Sequence, residues 1–231
     1  MIRIEEIHDA RGLKKFIALP WELYKKDPFW VPPLRTSLLR TLQGKNNPLL
    51  APDEPHAFFL AVKDGQVVGR ILVGVNTKLN REKGKNEGYI SLFESIEEQA
   101  VANSLFETAT AWLRERGLTR VVGPVSPTNG DDNRGILIKG FDGPPVLMNS
   151  YNPPYYEQLF VDYGFAKHMD LFAYHFDVKQ LDEERYGRVV AYAMKKFGFR
   201  IDRFDRRQME REIRDIKKIL DLAMPASWEH L

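Results

Sequence analysis

The sequence predicts an α/β (α+β) protein with a mostly antiparallel, twisted central sheet flanked by helices. One observation is a β-hairpin signal, in which the apolar runs AFFLAV and VVGRILVGV flank Asp64-Gly65, a pair that accepts the positive φ of a tight turn. The other is the alternation of strand-like and helix-like stretches on both sides of this hairpin. A helix-flanked sheet is the arrangement that buries both kinds of apolar face.

Composition narrows the class of protein. The 231 residues contain no cysteine, and 34 Lys+Arg against 32 Asp+Glu leave a net charge of +2, which excludes a strongly basic nucleic-acid binder. The five histidines lack metal-ligand spacing, and the charged opening MIRIEEIHDARG has no apolar signal region. We therefore expect a cytoplasmic protein without a metal, a nucleic acid or a membrane as partner.

The strand-like stretches share alternating or continuous apolar residues, and they are residues 2–7, 57–62, 67–75, 88–93, 120–125 and 167–177. The helix-like stretches carry apolar residues at helical spacing or end at a glycine, and they are residues 10–21, 34–42, 101–116 and 155–163. A proline-rich excursion spans residues 27–55, and the basic residues 78–86 are expected to form a loop. Together these elements define a first domain over residues 1–178.

The tail, residues 179–231, has a different pattern. Two helical stretches, 183–197 and 208–223, flank a short strand-like run at 199–204, and this order echoes the opening of the chain. The echo is either the start of an incomplete second unit or a chance similarity. Because a strand and a helix are too small to bury their apolar faces alone, we expect the tail to pack on residues 1–178 or to pair with a second copy through residues 199–231.

The helix and glycine at Tyr155–Phe165 resemble the GNAT superfamily of acyl-CoA N-acyltransferases, and the resemblance covers about residues 1–178. A closer likeness is to a bacterial GNAT-like group with tandem domains. It is carried by Trp112-Leu113, Gly117, Val122-Gly123-Pro124, Gly140–Pro145 and Tyr151-Asn152. The resemblance implies transfer of an acyl group, such as acetyl, from acyl-CoA to a small-molecule amine.

The same resemblance implies where the acyl-CoA lies. The cosubstrate occupies a gap between strands 88–93 and 120–125, against the backbone of Leu92 and Phe93 and near Asn152. The family's phosphate-binding signature contains glycine, whereas Glu94–Ala100 has none and carries three carboxylates. Either these carboxylates repel a pyrophosphate, or Glu97 and Glu98 simply stabilise a helix N-terminus. We expect CoA to bind with a dissociation constant no tighter than ~100 µM.

Candidate catalytic residues follow from the same comparison. Many family members have, where this chain has Phe160, a tyrosine whose hydroxyl protonates the leaving thiolate. Tyr155 or Tyr156 can substitute for it. Aromatic packing onto the sheet is the commoner use of such residues and also explains both tyrosines. Asp132, in the polar loop 126–135, is a candidate base for the substrate amine, unless that loop is only a solvated turn.

Candidate substrate-binding residues flank the implied gap. Arg134 can hold an anionic group, while Tyr24 and Trp30 can wall an acceptor pocket or form part of the core. Two functions remain open from the sequence. One is an active N-acyltransferase, and the other is a non-catalytic GNAT-like domain that supports a catalytic partner domain.

Overall fold

A computed structural model describes residues 1–45, 47–127, 133–180 and 182–223. The chain divides into two compact units, Met1–Ala166 and a second that begins at Lys167. The strands of the first unit are β1 (Ile2–Glu6), β2 (His56–Lys63), β3 (Gln66–Val75), β4 (Glu87–Ser95) and β5 (Arg120–Val125). Its helices are α1 (Ala10–Leu23), α2 (Arg35–Leu42), α3 (Thr77–Lys83), α4 (Gln99–Arg114) and α5 (Tyr156–Tyr163).

Within the described residues the five strands form one sheet in the order β1-β2-β3-β4-β5. The first three pairings are antiparallel, and β4 pairs with β5 in parallel. The hairpin β2–β3 turns at Asp64-Gly65, where both residues have positive φ. The predicted fold class is therefore confirmed, including the mostly antiparallel sheet and its hairpin.

The sheet has a packed core on each face. Helix α4 packs on one face of the sheet through Val101, Leu105 and Ala109, and all three side chains are fully buried. Helix α1 covers the other face, where Phe16 is fully buried. Gly88 allows α4 to approach β4, because a Cβ at this position would overlap the side chain of Leu113. These two layers fix the position of β4 between α1 and α4.

Three local predictions were wrong. Part of the predicted loop 78–86 lies in α3 (Thr77–Lys83), which is capped by the side chain of Asn76 and ends at Gly84 in the left-handed region. Residues 167–177 and 199–204 are all described, and neither segment forms a strand. Both have strand-like apolar residues, but a strand exists only when its backbone pairs with a neighbour, and alternation cannot supply the partner.

The second unit contains the two helices that the sequence predicts, α6 (Glu183–Phe197) and α7 (Met209–Ala223). Gly198, in the left-handed region, ends α6. Apolar residues on both helices are exposed, among them Val189, Ile213 and Leu220. Pairing of two copies through residues 199–231 stays a prediction. None of the helices in the described ranges has the length and apolar composition needed to cross a bilayer.

Candidate active site

The pairing between strands β4 and β5 ends before β4 does. Their register runs from Glu87–Arg120 to Ser91–Val125, and the hydroxyl of Ser91 donates to the Val125 carbonyl at 2.6 Å. Beyond this point β4 continues to Ser95 with no β5 residue in its register. Leu92 has a φ of +49°, and the register with β3 shifts at the same place. The result is a bulged stretch of β4, residues 92–95, whose outer edge is not covered by any strand of the described residues.

Two tyrosines at the N-terminus of α5 form hydrogen bonds with the backbone of Ser95, the last residue of this edge. The hydroxyl of Tyr155 donates to the Ser95 carbonyl at 2.8 Å, and the Ser95 N–H donates to the hydroxyl of Tyr156 at 2.9 Å. In a sheet those two backbone groups would bond to the next strand. Ser95 is fully buried, so leaving them unpaired would be costly. The tyrosine side chains therefore replace a strand at this position.

Glu94 is the centre of a buried polar cluster on the same stretch. Its Oε2 accepts hydrogen bonds from the hydroxyls of Tyr24 at 2.9 Å and Tyr156 at 2.7 Å. Its Oε1 lies 3.4 Å from Nη2 of Arg70, which is itself buried and donates through Nη1 to the Phe16 carbonyl at 2.7 Å. The cluster joins α1, β3, β4 and α5 at one carboxylate.

Burial sets the electrostatics of this cluster. It raises the pKa of Glu94, an effect that Arg70 and the two phenol donors oppose, and it lowers the pKa of Arg70. Burial and the neighbouring carboxylate together raise the pKa of both Tyr24 and Tyr156, so these phenols stay protonated and donate. A carboxylate with a raised pKa is a better proton acceptor near neutral pH than an ordinary one.

An aromatic wall lies next to Glu94 on the α1 side. The ring of Trp30 stacks on that of Tyr24 at 4.9 Å, and Trp21 meets Trp30 edge-on at 5.3 Å. Tyr151 closes the wall at 6.2 Å from Tyr24, and its hydroxyl donates to the Asp27 carboxylate at 2.8 Å. Tyr24 is buried, whereas Trp21, Trp30 and Tyr151 are half-buried and partly open to a ligand.

Three other predicted site residues, Asp132, Arg134 and Asn152, follow β5 in the chain. Asn152 is buried and holds Leu137 through its backbone, accepting from the N–H at 2.6 Å and donating to the carbonyl at 3.1 Å. The Arg134 carbonyl accepts from the hydroxyl of Ser150 at 2.7 Å. Pro127, the last described residue before a gap, is held by Asn47 at 2.7 Å. Asp132 lies outside the described residues.

The structure brings together some of the predicted residues. Tyr24 and Tyr156 meet at Glu94, Tyr155 adjoins them, and Leu92 and Phe93 form the bulged edge. Asn152 has a structural set of partners, and none of its hydrogen bonds reaches this cluster. Sequence reasoning missed Glu94 as a largely buried strand residue and missed its partner Arg70. A signal for the pair existed, because a lone charge within the apolar run of β3 requires a buried counter-charge.

The N-terminus of α4 is the place where the resemblance puts a pyrophosphate. Its cap residue, Glu98, pairs with Nζ of Lys63 at 2.7 Å, and Glu97 is exposed. No lysine or arginine occurs between Lys85 and Arg114 in the sequence. These residues do not fit a phosphate cradle, which needs glycines or cations. Over the described ranges, no group of three or more His, Asp or Glu residues is placed to hold a metal ion.

Four strands in antiparallel succession, a parallel fifth, and an edge that opens at the carboxyl end of β4 are the topology of the GNAT acyl-CoA N-acyltransferase fold. No protein-family model matches the chain. A similar solved structure is an aminoglycoside acetyltransferase from an uncultured soil metagenomic sample, 14% identical, with a TM-score of 0.46 over 77% of this chain and 96% of that one. The fold assignment rests on the strand order of the chain itself.

Two relatives are similar in sequence. The chain is 33% identical over 221 residues to the bacterial ceramide synthase of Caulobacter vibrioides, a match that covers 94% of this chain and 56% of the relative. It is 37% identical over 170 residues to protein YghO of Escherichia coli strain K12, covering 72% of this chain and 42% of the relative. The chain thus spans about half the length of the curated relatives that it matches.

Proposed function

We propose that the chain takes part in N-acyl transfer, forming an amide between an acyl group delivered as a thioester and the amine of a long-chain amino alcohol. The observation that carries the proposal is the 33% identity to a bacterial ceramide synthase over 94% of this chain. A ceramide is the amide of a fatty acid and a long-chain amino alcohol, so the name defines both reactants. The GNAT fold is consistent with this chemistry.

Glu94 is the residue that we assign to proton transfer. The amine nitrogen attacks the thioester carbonyl, the C–N bond forms, the C–S bond breaks, and the nitrogen loses one proton. The Glu94 carboxylate takes this proton, since burial raises its pKa. The leaving thiolate takes up a proton from water, and Glu94 releases its own proton to water. The chain thus ends in its starting protonation state.

The remaining residues of the site position the reactants. The bulged edge at Leu92 and Phe93 presents backbone groups on a side of β4 that no strand covers, and these can orient the amides of a pantetheine arm. The half-buried Trp30 and Tyr151 offer apolar surface for the hydrocarbon of the amine. Tyr24 links this wall to Glu94 through its hydroxyl.

The test is an amide-forming assay on the full chain with palmitoyl-CoA and sphinganine, followed by mass spectrometry. We expect N-palmitoyl sphinganine from the natural chain and from Glu87→Gln, and almost none from Glu94→Gln. Glu87 is a matched control because it is also a buried carboxylate on β4 but is paired with Lys85 and Arg120. Equal activity of the natural chain and Glu94→Gln would remove Glu94 from the reaction.

A second function, that of a non-catalytic partner domain, is favoured by one observation. The hydroxyls of Tyr155 and Tyr156 are bonded to Ser95 and Glu94, so their protons are directed into the protein. Such bonding stabilises a fold whether or not it catalyses a reaction. Absence of amide product with correct folding of the chain would support this second function.

A further inference from the structure

We infer that this chain recognises its acyl donor by the acyl and pantetheine portions alone and makes no favourable contact with the nucleotide of CoA. The inference rests on the proposed function and specifies the donor chemistry of the same site. It starts from the disagreement between the fold, which implies a pyrophosphate at the N-terminus of α4, and the residues that the chain places there. An acyl pantetheine, free or attached to a carrier, is then as good a ligand as an acyl-CoA.

Charge is the first argument. Three carboxylates, those of Glu94, Glu97 and Glu98, lie within five residues where β4 passes into α4, and the next basic residue along the chain is Arg114. Glu98 is the cap residue of α4 and holds Lys63 at 2.7 Å, so the nearby cation is already paired. Glu97 is exposed, and an acidic side chain at this position disfavours the approach of an anion. A pyrophosphate at this position would meet the acidic side chain of Glu97 and a lysine that is already paired.

Backbone geometry is the second argument. A phosphate cradle is formed by N–H groups that have no other acceptor and by glycines that permit close approach. Here the N–H of Glu98 donates to the Ile96 carbonyl at 2.7 Å, and that of Val101 donates to the Glu98 carbonyl at 3.0 Å. The segment from Tyr89 to Arg116 contains no glycine. The donors that a nucleotide would need are therefore partly committed within the chain.

The pantetheine portion meets different surroundings. Its amides are neutral and pair with strand backbone, and the edge of β4 at Leu92–Phe93 lies between the last β5 pairing, at Ser91, and the tyrosine-bonded Ser95. This short edge fits an amide or two and no more. The chain then recognises the pantetheine portion of the donor at Leu92–Phe93, and this recognition does not extend to the acidic residues Glu97 and Glu98.

The experiment compares S-octyl-CoA with S-octyl-pantetheine, two thioethers that cannot react, by titration calorimetry on the full chain. We expect dissociation constants within about threefold of each other, because the nucleotide adds no favourable contact. Tighter binding of S-octyl-CoA by more than about tenfold would overturn the inference and leave the proposed function standing. Failure of both ligands to bind would overturn the proposed function, and the inference with it.

A charge variant gives a second readout. In Glu97→Gln, S-octyl-CoA is expected to bind about two- to fivefold more tightly at low salt, while S-octyl-pantetheine is unchanged. Glu107→Gln is the control, since Glu107 is also exposed but lies on α4 about 12 Å along the helix axis from its first residue, Gln99. Weaker binding of S-octyl-CoA to Glu97→Gln would show that the nucleotide is bound there after all, and would overturn the inference.

Discussion

The two halves of β4 each carry a carboxylate, and the two carboxylates have different partners. In the first half, which is paired on both sides, Glu87 accepts from Lys85 and Arg120, both at 3.1 Å. In the second half, where β5 is missing, Glu94 has one arginine at 3.4 Å and two phenols. Two cations hold the carboxylate of Glu87, whereas burial raises the pKa of Glu94. Position along one strand thus separates a structural carboxylate from one suited to chemistry.

The largest expected effect is on Glu94. Replacing it by Gln keeps the volume but removes the proton acceptor, and we expect kcat to fall by about 10²- to 10⁴-fold in the amide-forming assay. Glu87→Gln should retain full activity and instead lose about 1–3 kcal/mol of unfolding free energy, because its two cations lose their partner. The opposite pattern would reverse the roles of the two halves.

The pH dependence sharpens the same contrast. Burial raises the pKa of Glu94 above its ordinary 4.5, so the rate should rise with pH through a midpoint above that value. The sign for stability is the reverse. A carboxyl whose pKa is raised in the folded chain stabilises it while protonated, and this contribution is lost as pH rises from 4.5 through the raised pKa. Both dependences should be absent from Glu94→Gln, measured by rate and by urea unfolding.

The paired half is tested by Gly88→Ala. The added Cβ would overlap Leu113 and approach the Gly74 carbonyl oxygen at 3.1 Å, which should cost about 2–3 kcal/mol of unfolding free energy. Gly143→Ala is the control, because nothing lies within 4 Å of its Cβ position. Equal stability of the two variants in urea denaturation would show that α4 does not pack closely on this half of β4.

The open half is tested by Tyr156→Phe. The change leaves the buried Ser95 N–H without its acceptor and removes one donor from Glu94, so we expect a loss of about 2 kcal/mol. Urea denaturation measures the loss, and the amide-forming assay should report reduced activity as well. A variant as stable as the natural chain would mean that the tyrosine does not replace a strand.

The smallest effect is expected for Tyr155→Phe. Its hydroxyl makes one hydrogen bond, to the Ser95 carbonyl, whereas that of Tyr156 bonds both the Ser95 N–H and the Glu94 carboxylate. We expect a loss of about 1 kcal/mol or less in the same denaturation experiment. A larger loss than that of Tyr156→Phe would contradict the ranking of the two bonds.

Local signals in the sequence predicted the elements whose hydrogen bonds join residues close together in the chain, namely the hairpin and the helices. The hairpin was predicted from Asp64-Gly65 and its flanking runs, and the helices from their spacing and terminal glycines. The strand predicted at residues 167–177 failed because its pattern is local but pairing is not. Glu94 was predicted only as one of the carboxylates of the Glu94–Ala100 junction, because its partners Tyr24 and Tyr156 lie 70 and 62 positions away, beyond the reach of any local pattern.

The spread of these partners along the chain has a consequence for synthesis on the ribosome. Tyr24, Arg70, Glu94 and Tyr156 emerge in that order, and the loops between them must close before the cluster exists. Until α5 has left the ribosome, Ser95 lacks both of its tyrosine partners and β4 presents an open edge to other nascent chains. The last helix of the first unit therefore acts as the element that ends a period of exposure to aggregation.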